Sequence, residues 1–292
     1  MSRAAPVAFG LALEGDLPAG VRFHWTTQRP PRAVRLQRVE RTAAQDPPAL
    51  AIALQADGSH RLSAPGCGAC VVAGDGRAVT YAPAAAGVAE PHRLLLDQAL
   101  PFAACAAGLE CLHASAVACN GRAIALAGVS GTGKSTLAHA LARRGAEPLA
   151  DDVLALETDA DGGLLAHAAL PRRRLQARLE TLAAVGPVTP LPLGALYLLD
   201  RRPAERGAPR FEPISDPRLV LACTFNFVLA TPARLARLLE LCHRLAARTH
   251  LRRAIVPGDA DASALADAIG ADLAEADTRS AAMTADDLAG PS

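Results

Sequence analysis

Gly128-Val129-Ser130-Gly131-Thr132-Gly133-Lys134-Ser135-Thr136 is the stretch that decides the fold. It follows the apolar run Ala123-Ile124-Ala125-Leu126-Ala127 and leads into Leu137-Ala138-His139-Ala140-Leu141-Ala142-Arg143-Arg144-Gly145. That order predicts a strand, a glycine loop and a helix, the setting in which this pattern forms a phosphate-binding P-loop. Each residue type has a physical reason. Glycines let the backbone curl so that successive N–H groups point inward, and the new helix adds unpaired amides and a positive dipole end. Lys134 reaches outer phosphates and the Ser135 hydroxyl can ligate Mg²⁺. Leu137 and Leu141 lie one turn apart and bury the helix, and Gly145 can cap it.

The charge composition singles out the same place. The chain has 30 Lys plus Arg, and Lys134 is the only lysine among them. Arginine supplies every other basic side chain. Inside a tight phosphate loop a compact ammonium is not replaceable by a planar guanidinium fork.

Upstream, Glu110-Cys111-Leu112-His113-Ala114-Ser115-Ala116-Val117-Ala118-Cys119 reads as one strand. Asn120-Gly121 is a hairpin turn that would pair it with the strand feeding the loop. His113 then lies in a strand beside the phosphate site. Downstream comes Glu147-Pro148-Leu149-Ala150-Asp151-Asp152-Val153-Leu154-Ala155-Leu156. Two carboxylates at the head of an apolar strand are costly unless something positive faces them, and Mg²⁺ on the phosphates is the obvious candidate. Strand geometry sends neighbours to opposite faces, so both act at one site only if the backbone bends there. Otherwise one of them caps or turns the chain.

Farther out, residues from about 5 to 85 suggest a β-rich unit. Val34–Val39 and Ala51–Leu54 are strand-like, and Gly74-Asp75-Gly76 marks a hairpin. Cys67-Gly68-Ala69-Cys70 lacks both a βαβ setting and a second ligand pair, so metal is not expected there. Arg93–Leu100 reads as a helix that Pro101 ends or kinks. Asp161-Gly162-Gly163 marks a further hairpin. Arg172-Arg173-Arg174 opens a helix carrying Leu179 and Leu182, and either holds phosphate or forms a solvated face. Gly194–Leu199 reads as a buried strand and Arg201–Arg210 as a polar loop. Thr231-Pro232 starts a helix whose buried stripe is Leu235, Leu238, Leu239, Cys242 and Leu245. Asp261 can cap a last helix ending near Leu273, with a loose tail from Glu275.

Bulk properties bound the partners. At 292 residues the chain can hold one large or two modest domains. A net charge of +1 gives no electrostatic reason to expect nucleic acid or an anionic membrane as partner. No apolar run approaches the roughly 20 residues that cross a bilayer. Seven scattered cysteines, an odd number, fit reduced thiols and a cytoplasmic location better than a disulfide framework. With one lysine there is no NKxD guanine-reading motif, and no LSGGQ-type signature occurs.

The constellation Leu112-His113-Ala114-Ser115-Ala116-Val117, Gly128 to Thr136, and Arg144-Gly145 leading to Asp151-Asp152-Val153 resembles the HPr kinase/phosphorylase family. The β-rich front and the C-terminal segment more closely resemble the HPr-kinase-like serine kinases of bacterial gene clusters, including those that phosphorylate lasso-peptide precursors. The resemblance implies an α/β fold: a P-loop kinase core of the HPr kinase/phosphoenolpyruvate carboxykinase type, with a smaller β-rich N-terminal domain. It places that domain at 1–88, the kinase domain at 89–275 and a flexible tail at 276–292. It implies that the loop residues Gly128, Val129, Ser130, Gly131, Thr132, Gly133, Lys134, Ser135 and Thr136 hold ATP, and that Ser135 with Asp152 holds Mg²⁺. Asp151 would accept the proton of the attacking hydroxyl, with the two Asp roles exchangeable, and His113 would sit by the transferring group. Members of that family assemble into hexamers, so the resemblance admits a homo-oligomer.

Two departures narrow the expectation. His113 is followed by Ala114 where the bifunctional enzymes have Gly, and their later Glu-containing Arg-Gly signature does not occur after residue 157. A one-way kinase acting on a serine of a peptide or small protein is therefore expected rather than an HPr phosphorylase. A small-metabolite kinase and a non-catalytic ATP-sensing module are the alternatives.

Overall fold

Short apolar segments separated by glycine turns build the N-terminal region. Its strands are β1 (Ala5–Ala8), β2 (Leu11–Gly15), β3 (His24–Thr26), β4 (Ala33–Arg38), β5 (Ala51–Leu54), β6 (His60–Ser63), β7 (Ala69–Val72) and β8 (Ala78–Ala82). They form one eight-stranded sheet in the order β3-β1-β2-β4-β8-β7-β6-β5. β7 and β8 close the hairpin over Gly74–Gly76, while β4 runs parallel to both β2 and β8. The computed structural model describes residues 4–28, 30–40, 47–85, 87–170, 189–225 and 228–289. The Arg172–Arg174 run and Leu179 and Leu182 lie outside them.

A π-helical turn (Leu95–Ala99) leads into α1 (Leu100–Ala106). Of the two expected outcomes, a kink or an end, Pro101 does not end this helix. It sits in the first turn of α1, where its missing N–H has no intrahelical partner to lose. The irregularity is placed just upstream, in the π turn.

The larger region alternates strands and helices: β9 (Glu110–Leu112), β10 (Ala114–Cys119), β11 (Arg122–Ala127), α2 (Lys134–Ala142), β12 (Glu147–Ala150), β13 (Leu154–Thr158), β14 (Leu164–His167), β15 (Leu191–Arg202), β16 (Arg210–Pro213), a 3₁₀ helix (Pro217–Cys223), α3 (Pro232–Arg248), β17 (His250–Pro257) and α4 (Ala262–Ala289). The described strands join in a nine-stranded sheet along the path β12-β10-β11-β15-β14-β13-β9, with β17 on β15 and β16 on β17. The architecture is thus two-part α/β, a β-rich N-terminal region beside a larger mixed one.

Two cores flank the large sheet. On one face Val117, Ile124, Leu126 and Tyr197 pack under Leu137 and Leu141 of α2 and Leu265 and Ile269 of α4. The other face belongs to a continuous core running through α1 and the N-terminal sheet, from Leu11 and Val34 to Leu112 and Leu154. Burial of such side chains is worth about 1.5–3 kcal/mol each before entropy is counted.

α3 corrects one expected stripe. Thr231 caps it and Pro232 opens it as expected, and Leu238, Cys242 and Leu245 are buried. Leu235 and Leu239, however, are 48% and 62% exposed. Their place on the inner face is taken by Leu241 and by Arg234, which is 2% exposed and donates from Nε to Glu110 Oε2 at 3.0 Å. Burial pushes the Glu110 carboxyl upward, and Arg234 and Arg237 oppose it. Reading apolar residues alone rotates the stripe because it cannot see a buried charge pair.

α4 is also longer than expected. It continues past Leu273 to Ala289, and Asp277 accepts from Arg122 Nη2 at 2.8 and 2.6 Å. Its later turns are poor in large apolar residues but rich in alanine, the strongest helix former.

A charged latch ties the two regions together. Arg32 donates through Nη1 to Glu157 Oε1 and through Nε to the Ala107 carbonyl at 3.0 Å, while His167 Nε2 lies 3.0 Å from Glu157 Oε2. His167, then Arg32, hold the Glu157 carboxyl well below the ordinary 4.5, at about 2. A depressed carboxylate contributes stability that is present above its unfolded value and is lost as pH falls toward about 2. Glu157→Gln is expected to lower stability at pH 7 by about 1–3 kcal/mol. Its stability relative to the unaltered chain should rise as pH falls from 4.5, the ordinary value, to 3, measured by urea unfolding. A constant difference across that window would contradict the latch.

Candidate functional site

The glycine-rich stretch Gly128–Gly133 lies between β11 and α2, at the carboxyl end of the strand, in the expected order of strand, loop and helix. β11 runs parallel to β15, with Ala127 opposite Leu198. Gly128 takes φ +145°, and a Cβ there would lie 3.0 Å from the Leu199 carbonyl, so the chain can leave the sheet at this point only as glycine. Gly133 caps α2 in the left-handed region, at φ +92°. Thr132 Oγ1 donates to the Val129 carbonyl at 2.9 Å and tightens the turn.

Lys134 folds back over this loop. Its Nζ donates to the carbonyls of Gly128 at 2.9 Å and Val129 at 3.1 Å, and the residue is only 6% exposed. Burial lowers its ammonium pKa and Asp152 acts in the opposite direction. Ser135 and Thr136, next on the helix, are exposed.

The two carboxylates meet the condition set for them. β12 ends at Ala150 and β13 begins at Leu154, with a bend at Asp151 and Asp152 between them. Asp151 is 4% exposed, and its backbone carbonyl accepts from Ser115 Oγ at 2.5 Å. Asp152 Oδ1 lies 3.9 Å from His113 Nδ1.

His113 does not lie within a continuous strand. It occupies the break between β9 and β10, where the chain passes from pairing with β13 to pairing with β11 and β12. Its N–H donates to the Cys223 carbonyl at 2.6 Å, and the Phe225 N–H donates to the Cys111 carbonyl at 2.7 Å. The segment from Pro217 to Phe225 is thereby laid along the strand end that carries His113. The site thus gathers His113, Lys134, Asp151 and Asp152 from three separate stretches.

Some neighbours carried no sequence signal. The Cys223 thiol is raised by burial, an effect opposed by a hydrogen bond to the Gly128 backbone and by the charge of Lys134. Ser115 acts through the Asp151 carbonyl. Arg201 Nη2 lies 3.8 Å from where a Gly133 Cβ would sit. Ser115 lies in the Leu112–Val117 stretch, whereas Cys223 and Arg201 belong to no short-range motif and are brought in by tertiary contacts. Cys67 and Cys70, by contrast, stand apart at the start of β7 with free thiols, that of Cys70 pushed up to about 12 by burial and so poorly reactive.

Among the described residues no group of three or more His, Cys, Asp or Glu is arranged to hold a metal ion. Of the two residues expected to hold Mg²⁺, Ser135 is exposed at the start of α2 and Asp152 Oδ1 stands beside His113. No helix of the described residues is long and apolar enough to cross a membrane.

Comparison with known proteins adds little at the level of sequence. No family model matches the chain, and no curated protein matches it. Among solved structures, the Hpr(Ser) kinase/phosphatase from Coxiella burnetii is similar at 14% identity and a TM-score of 0.28, over 50% of this chain and 85% of that one. Agreement at that level amounts at most to a distant relationship of fold.

Proposed function

We propose that the chain is an ATP-dependent kinase that transfers the γ-phosphoryl group to a serine hydroxyl of a peptide or small protein. The observation that carries this reading is the convergence of the glycine loop and Lys134 with His113 and the Asp151-Asp152 bend. A loop that cradles phosphate needs no carboxylates to bind it. Here Asp152 acts on the charge of Lys134, and Asp151, 4% exposed, stands next to it in the bend.

The roles are those the resemblance implies, with the two Asp roles exchangeable. Loop amides and Lys134 bind and orient the outer phosphates. Asp151 takes the proton from the attacking hydroxyl as the new P–O bond forms and the bond to the departing ADP oxygen breaks. Asp152 and Ser135 would hold Mg²⁺, which when bound neutralises phosphate charge. His113, beside Asp152, sits against the transferring group. In such chemistry most of the rate comes from positioning and charge neutralisation. The peptide or protein acceptor rests on the resemblance carried by His113, the loop and the Asp pair.

The test incubates purified protein with γ-labelled ATP, Mg²⁺ and separate panels of serine peptides, small proteins and free hydroxy metabolites. Label is expected on serine in the first two. Label on a metabolite alone would replace the acceptor class. ATP binding with no transfer across all panels would favour the sensing alternative.

A further inference from the structure

The parallel pairing of β11 with β15 has a consequence for a residue outside every motif. Ala127 lies opposite Leu198, so β15 runs on past the end of β11 and carries its next residues alongside the phosphate loop. Alternation along the strand sorts them. Leu199 faces the α2 side and packs with Leu137 and Leu141, and Arg201 follows it on the same face. Asp200 and Arg202 take the other face, where Asp200 is paired with Arg202 at 2.8 Å and with Arg253 at 2.5 Å.

Arg201 is therefore separated from the carboxylate that pairs with its neighbours. Its Nη2 lies 3.8 Å from the position of a Gly133 Cβ, directly beside the N-terminus of α2. Among the described residues no hydrogen-bond or ion-pair partner of its guanidinium occurs. Gly133, having no Cβ, leaves the approach open. A guanidinium, an ammonium and a helix N-terminus collected in one place repel one another, and an anion relieves that repulsion.

We infer that Arg201 is a phosphate-contacting residue of the nucleotide site, reaching the polyphosphate from the end of β15. The inference rests on the proposed nucleotide-binding reading and adds to it a second cation, one that supplies directional paired donors where Lys134 supplies a point charge.

The experiment compares the unaltered chain with Arg201→Gln and Arg201→Lys, using calorimetric binding of MgATP, MgADP and inorganic tripolyphosphate. Melting temperature serves as the check on folding. Arg201→Gln should weaken all three ligands about tenfold to a hundredfold, and Arg201→Lys should recover part of the loss. If tripolyphosphate binds Arg201→Gln as before while the nucleotides weaken, Arg201 contacts the base and the inference is overturned. Unchanged affinity for all three also overturns it. Should the folded, unaltered chain bind none of the ligands, the nucleotide reading itself fails and this inference falls with it. Loss of binding in Lys134→Ala but not in Arg201→Gln would leave the nucleotide reading standing and remove Arg201 from it.

Discussion

Lys134→Ala should abolish measurable ATP binding, weakening it by about a hundredfold or more while the chain stays folded. The ammonium sits on the carbonyls of Gly128 and Val129, poised over the loop that the phosphates would fill. Burial already disfavours its charge, and the nearby Asp152 restores only part of what water would give. A polyphosphate would complete the compensation, so removing the ammonium withdraws the strongest contact available to it. Lys134→Arg should be nearly as damaging, because the site accepts a point charge where the fork cannot turn. This chain uses arginine at every other basic position, which makes that substitution a sharp control. Isothermal titration measures both variants. ATP binding by Lys134→Ala at the unaltered affinity would remove the loop from function.

The second large effect belongs to the carboxylate bend. Asp151→Asn should cut phosphoryl transfer by about 10²–10⁴-fold while leaving ATP affinity within about threefold of the unaltered value. Asparagine keeps the size of the side chain and the backbone carbonyl that Ser115 holds, so the bend has reason to survive. What it lacks is a place to put the proton of the acceptor hydroxyl. Separate measurement of transfer rate and nucleotide affinity decides the matter, since a fall in affinity matching the fall in rate would make Asp151 a binding residue. An unchanged rate would take it out of the chemistry.

Several features around the candidate site could be read before the fold was known, for reasons particular to each residue. Gly128 and Gly133 announce themselves because their positive-φ backbone strongly favours glycine. Asn120-Gly121 and Asp161-Gly162-Gly163 do the same for their hairpins, which set β10 against β11 and β13 against β14. A bend at Asp151-Asp152 was the condition for both carboxylates to share one site, and the chain does bend there. Other features depend on distant partners and leave no local trace. Arg234 is buried because Glu110, far away in the chain, faces it. His113 falls in a strand break because the backbone there bonds to Cys223. Arg201 reaches the loop through a parallel pairing whose register no short window reveals. The parallel alignments of β4 with β2 and β8 were hidden in the same way.

A single incubation with MgATP and a serine-peptide panel, followed by mass spectrometry and run side by side on the unaltered chain, Lys134→Ala and Asp151→Asn, decides between kinase and binding module. The unaltered chain should add one phosphoryl group to a serine and neither variant should transfer, with only Lys134→Ala failing to bind ATP. A chain that binds ATP yet modifies no hydroxyl, or one in which Asp151→Asn transfers at full rate, would contradict the kinase reading.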